Sequence, residues 1–261
     1  MHKIMVILYK EWLEIRQQRM LIISMVLPPL IFALLPLVVV YGVAHTGSSG
    51  NLNLPRANNL SQLGHMSPAE VAQALVGMQL SVLFLLLPSI ITSIVASYSV
   101  VGEKTSRTLE PLLATPTRTW ELLVGKSLAA LIPGVGVTWL SGLIFIIGMA
   151  LLTSSQRVFF AIVSPGWLIL FLVWSPLIGL ISIAVMIAIS SRVNDPRTAQ
   201  QLSVWIIVPF FAVFFGQAAG IQVLGPVFTL IVAVILAALA LLAVWVMTQI
   251  FQRETILTRW K

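Results

Sequence analysis

The sequence predicts an all-α membrane protein with six transmembrane helices. Three observations lead there. Of 261 residues, 59% are hydrophobic and only 9% are charged, against about 25% charged in ordinary soluble domains. The apolar residues gather in six uncharged runs long enough to cross a bilayer. The basic residues fall almost entirely on alternate connecting segments. This composition excludes a soluble domain with a charged surface, and also a disordered chain, which needs low hydrophobicity and high charge. The chain has no cysteine, so disulfides, zinc–thiolate sites, iron–sulfur clusters and thiol catalysis are excluded too.

A spanning helix takes about 20 mostly apolar residues. The six runs are 21–44, 78–101, 127–153, 167–189, 202–219 and 227–250, within one membrane domain. The first reads as a retained span: it is longer than the roughly 7–15 residues of a cleaved leader's core. With the N-terminus inside, thirteen of the fifteen Lys and Arg residues lie on inner segments, and Arg56 and Arg157 alone lie outside. Lysine and arginine accumulate on the cytoplasmic side, so both termini are expected in the cytoplasm. The net charge of +7 then reflects topology, and nucleic acid is not an expected partner.

Residues 1–19 read as an amphipathic helix. At 100° per residue, Ile4, Met5, Leu8, Trp12 and Ile15 share an arc, with Lys3, Lys10, Glu14 and Gln17 opposite. Such a helix lies along the membrane surface with Trp12 at headgroup level, as a basic anchor or as a surface that also touches a cytoplasmic partner. The Gly-, Ser- and Asn-rich stretch 45–64 is an outer loop. Ser67-Pro68-Ala69-Glu70 is a capping box with proline at the first helical position, so the second helix is expected to begin at Ser67, outside the membrane, and Pro88 is expected to kink it. Residues 216–226 are uncharged and rich in helix breakers, and fit either a re-entrant segment or a tight loop.

None of the six runs contains Asp, Glu, Lys, Arg or His. Proton-coupled pumps and charged-ring channels place such groups at membrane depth, so both classes are disfavoured. The histidines do not cluster, and no metal site is expected. Gly125-Lys126-Ser127 matches the end of a phosphate-binding loop, but Trp120 stands where its first glycine belongs. Lys126 is instead expected to snorkel at the inner boundary. Polar side chains at depth are Ser81, Ser89, Thr92, Ser93, Ser97, Thr138, Ser141 and Ser175. They could line a pathway or make hydrogen bonds between helices, and the second use is commoner. The Ala233, Ala237, Ala240 stripe reads as a close-packing face.

The longest inner loop between spans is 102–126. It is charged at its start and apolar in its middle. Thr108 can cap a short helix with Pro111 in its first turn, Thr115-Pro116 ends it, and Thr117 can cap the next helix with Glu121 near the positive end. Leu109, Leu112 and Leu113 make a small apolar face that could rest on lipid, on the chain's own spans or in a partner's groove.

Thr108-Leu109-Glu110-Pro111-Leu112-Leu113-Ala114-Thr115-Pro116, followed by Glu121-Leu122-Leu123-Val124-Gly125-Lys126, resembles the first cytoplasmic loop of type-2 ABC exporter permeases. Arg107 stands where many members have glycine. The spacing of an N-terminal elbow helix, six spans and a broken segment between the last two also fits, as does the tail 251–261. The resemblance implies a permease that forms a pathway with a second copy or a paralogue, within membrane lipid. It implies two separate ABC ATPase subunits that bind ATP and Mg, with no cofactor or catalytic residue in this chain. It makes 102–126 the coupling loop: Glu103, Arg107 and Glu110 would make polar contacts with the ATPase, Leu109, Leu112 and Leu113 the packed contact, and Thr115-Pro116 the turn. An uncharged pathway suits a lipid-like or amphipathic substrate. Two other readings stand beside this one: a membrane anchor that holds cytoplasmic partners and transports nothing, and an ATP-independent transporter or channel.

Overall fold

The computed structural model describes residues 2–46, 66–105, 119–190, 198, 201–219 and 225–250. Among them every regular element is helical. Helix α1 spans His2–Gln17 and α2 Arg19–Thr46. Helix α3 (Pro68–Ser81) passes through a 3-10 turn, Val82–Leu85, into α4 (Leu86–Thr105). Helix α5 is Thr119–Leu152, and two short helices follow: α6 (Gln156–Ile162) and α7 (Pro165–Ile169). A π-helical turn, Leu170–Trp174, leads into α8 (Ser175–Ser190). A 3-10 turn at Ser203–Ile206 precedes α9 (Val208–Ala218), and α10 is Pro226–Ile250.

Among the described residues, five helical stretches are long and apolar enough to cross a membrane: Arg19–His45, Pro68–Ser99, Trp120–Leu152, Pro165–Ser190 and Pro226–Gln249. Within the run expected as the fifth of six spans, the described residues form a shorter apolar helix, Val204–Ala218. Proline explains three irregularities of winding. A proline gives no N–H to the carbonyl four residues earlier, and its ring clashes with that oxygen. The partners lost to Pro88, Pro176 and Pro209 are Phe84, Leu172 and Trp205. These three residues lie in the 3-10 turn before α4, the π turn before α8 and the 3-10 turn before α9. The winding thus changes where the hydrogen bond is missing, so the kink expected at Pro88 takes the form of a tightened turn one helical turn upstream.

The capping box at the start of α3 forms as its residues dictate. The Glu70 N–H donates to Ser67 Oγ at 3.3 Å, and the Ser67 N–H donates to Glu70 Oε2 at 2.8 Å. Deeper in α3, buried Gln73 donates from Nε2 to the Val40 carbonyl and accepts the Ser154 N–H at Oε1, both at 3.3 Å. One side chain therefore joins α2, α3 and the link between α5 and α6. The short helix α6, not expected from the sequence, packs on α3.

The α3–α4 span is the central one. Within it 83% of the apolar window is buried, against 17% in α10. Helix α4 packs on α8 and α5, α10 packs on α8 and α7, and α2 packs on α5 and α3. Ala233 and Ala240 are buried on α10, and small residues of this kind let helices approach closely. On α5, Gly142 faces the ring of Phe171, and a Cβ there would overlap the ring atoms. Phe171 cannot swing away, because it is stacked on Trp167 with centroids 4.9 Å apart and planes 7° from parallel. Gly142→Val is therefore expected to lower stability by about 1–3 kcal/mol through overpacking. Unfolding in mixed micelles measures this, and an unchanged midpoint would refute the contact.

Candidate functional site

The loop that the sequence singles out is framed by α4 and α5. Helix α4 runs on to Thr105, so Glu103 sits in its last turn. Helix α5 resumes at Thr119 with Glu121 in its first turn, where a carboxylate faces the positive end of the helix dipole. Arg107, Leu109, Glu110, Leu112, Leu113, Thr115 and Pro116 lie outside the described residues, as do the 220–224 part of the broken segment and the tail 251–261.

At the base of this loop the structure corrects one expectation. Lys126 does not snorkel to the boundary. It is buried within α5, and its Nζ lies 2.8 Å from Glu11 Oε1, with the two side chains 2% and 3% exposed. The same ammonium donates to Ser99 Oγ at 2.9 Å and to the Ser99 carbonyl at 3.3 Å. The reason is that α5 begins at Thr119, two turns before Lys126, so the lysine enters a packed region that already holds a carboxylate and two further oxygens. A buried ammonium is stable only when it is paired and hydrogen-bonded in this way.

Glu11 comes from α1, and sequence reasoning passed over it. A signal was present: at 100° per residue Glu11 falls between Ile7 and Ile15, on the apolar side of the helix. The face that packs carries Ile4, Ile7, Leu8, Glu11 and Ile15. Met5 and Trp12, expected on the same arc, are exposed. The packing partner is α5. Gly125 permits the approach, since a Cβ on it would come within 2.8 Å of Ile7 Cγ2. Of the residues expected on the surface side, Lys10 pairs with Glu14 at 3.3 Å, both side chains being well exposed. An exposed pair one helical turn apart contributes only about 0.3–0.5 kcal/mol. Lys3 is exposed as well.

The hydroxyl groups at depth are all buried. Thr92 Oγ1 bonds the Pro88 carbonyl at 2.6 Å, Thr138 Oγ1 the Gly134 carbonyl at 2.8 Å and Ser141 Oγ the Thr138 carbonyl at 2.7 Å. Ser81 and Ser97 likewise bond carbonyls of their own helix. Two others link helices: Ser182 donates to Ser89 at 3.0 Å, and Trp139 Nε1 donates to Ser175 Oγ at 3.0 Å. Ser93 is buried beside them. Two further bonds attach the last helices to the centre: Gln79 Nε2 donates to the Phe214 carbonyl at 2.9 Å, and Trp174 Nε1 to the Thr229 carbonyl at 3.0 Å.

The helical membrane fold, with a charged loop between its second and third long helices, is matched by the family model of the ABC-2 family transporter proteins over residues 5–230. The chain belongs to the ABC-2 transporter family. The match begins within α1 and ends within α10, so it takes in the α1–α5 contact, the Lys126 cluster and the loop together. No curated protein matches the chain significantly. Permeases of the ABC-2 family generally work with ABC ATPase partners.

Proposed function

We propose that the chain is the permease subunit of an ATP-driven exporter. Two permease chains, either identical or paralogous, form the pathway, and two ABC ATPase subunits bind from the cytoplasm. ATP and Mg belong to the ATPases, and this chain carries no catalytic residue. In this reading Val204–Ala218 with its preceding residues completes six spans, both termini are cytoplasmic, α1 is the elbow helix, and the loop between α4 and α5 is the coupling element. The observation that carries the reading is the family match together with the run Thr108–Pro116, which lies between two long helices on the Lys- and Arg-rich side. The buried hydroxyls serve helix packing, since those with assigned bonds engage a carbonyl of their own helix or a neighbouring helix.

The test is co-purification with the cognate ATPase, followed by ATP hydrolysis in lipid, for wild type and for Glu110→Arg plus Leu112→Asp. Leu112→Asp would bury an unpaired charge in the apolar contact, and Glu110→Arg would set like charges together where the wild type has opposite ones, each a large cost to an interface. The double variant is expected to lose the complex, and with it the permease-dependent part of ATP hydrolysis. A variant that assembles and hydrolyses ATP like wild type would remove the coupling role and favour a membrane anchor that transports nothing.

A further inference from the structure

We infer that Lys126 ties the N-terminal helix to both stems of the 106–118 segment, so that α1, the end of α4 and the start of α5 move as one body when that segment is displaced. The inference rests on the coupling reading of the loop and adds a positioning residue to it. Three observations support it. Lys126 stands on one stem, seven residues after α5 begins, and Ser99 stands on the other, in the last turns of α4. Its ammonium holds Glu11 of α1 and two oxygens of Ser99 at 2.8–3.3 Å. Finally, α1 and α4 are separated by a small open cleft, lined by Glu14, Ile15 and Gln18 on one side and by Val95 and Tyr98 on the other, with Glu11 and Ser99 in the same lining.

The cleft gives the polar link its meaning. Helix α1 is held to α5 by packing at Gly125 and Ile7, and Lys126 links Glu11 to Ser99, which both line the cleft between α1 and α4. Apolar packing is non-directional and tolerates sliding. A buried charge-assisted hydrogen bond has a defined length and direction, and slippage would strand a charge away from its partner. The link therefore resists relative motion of α1 and α4 in a way that leucines at the same place would not.

The experiment compares wild type, Glu11→Leu plus Lys126→Met, and the charge-reversed pair Glu11→Lys plus Lys126→Glu. The apolar pair keeps the volume, and replacements of this type commonly preserve stability. Two readouts are taken: hydrogen exchange of α1 amides in the permease alone, and ATP hydrolysis after reconstitution with the cognate ATPase. The apolar pair is expected to bind the ATPase as wild type does and to lose about fivefold in permease-dependent hydrolysis. Its α1 amides are expected to exchange about tenfold faster, with those of α8 unchanged. The charge-reversed pair restores the α1–α5 ion pair but sets a carboxylate against the Ser99 carbonyl, which has no proton to give, so it is expected to recover the α1 exchange and not the hydrolysis. Wild-type hydrolysis and exchange in the apolar pair would overturn the inference. So would loss of ATPase binding, which would put the pair in the docking surface, or failure of both variants to accumulate, which would make it a folding element. The exchange readout involves no ATPase. If the loop variant Glu110→Arg plus Leu112→Asp behaves as wild type, the coupling reading fails while the exchange result still reports on the link. If only the link fails, the loop variant keeps its defect.

Discussion

Trp167→Ala is expected to cost about 3–5 kcal/mol of folding stability, the range for removing a fully buried large aromatic. Trp167 is 0% exposed and is one of a cluster of four aromatic side chains, touching the other three. It stacks on Phe171 at 4.9 Å and meets Phe145 at 5.5 Å and Phe84 edge-on at 6.2 Å. Those rings come from α5, from the 3-10 turn before α4 and from the π turn before α8, so one side chain fills the space where three spans meet. In a membrane the apolar surroundings of lipid and core are alike, and helix association depends on packing. Loss of the indole leaves a cavity that ring atoms cannot refill, because each neighbouring ring is already held by another. The measurement is unfolding in mixed micelles, with Trp167→Phe as the graded control, expected to lose less than half as much. A loss under about 1 kcal/mol for the alanine variant would show that the cluster can collapse around the gap, the behaviour of a loosely packed site.

Glu11→Ala on its own is expected to be the other severe change, at about 3 kcal/mol. Removing one partner of a buried ion pair leaves an uncompensated charge, with measured costs of about 3–5 kcal/mol. Here the Lys126 ammonium keeps both Ser99 oxygens, which places the cost at the low end of that range. The contrast with the apolar double replacement makes the prediction sharp. Taking away the carboxylate alone is destabilising, whereas taking away both charges is close to neutral. If the single and double variants unfold at the same midpoint, desolvation of the lysine is not what sets the cost, and the pair is less buried in the membrane than in the isolated chain.

The capping box at Ser67 and Glu70 was legible because both partners lie three residues apart and the bonds follow from that spacing. The apolar runs announced the long helices by length alone. Their winding was legible only in part. A kink at Pro88 could be expected, but the structure shows the disturbance one turn upstream at Val82–Leu85, and the same at Pro176 and Pro209.

The N-terminal helix shows the limit most clearly. Periodicity identified an amphipathic helix and assigned its apolar side to the membrane surface, with Trp12 and Met5 upon it. The packed side is turned toward Glu11, and Trp12 and Met5 stay exposed. A hydrophobic arc treats a glutamate as polar wherever it falls, so Glu11 counted against the face that it centres.

The sequence by itself determined the class of molecule, the long helices, the loop that carries the family resemblance and, through that loop, the family. These are properties of local runs and short spacings, where neighbours in the chain are neighbours in space. The tertiary structure alone decided that Lys126 is buried and that Glu11 and Ser99 bond it. Glu11 and Lys126 are 115 positions apart, and no periodicity or motif relates them. What brings them together is the approach of α1 to α5 over Gly125. The burial that follows makes the pair necessary, since neither charge is stable there without the other.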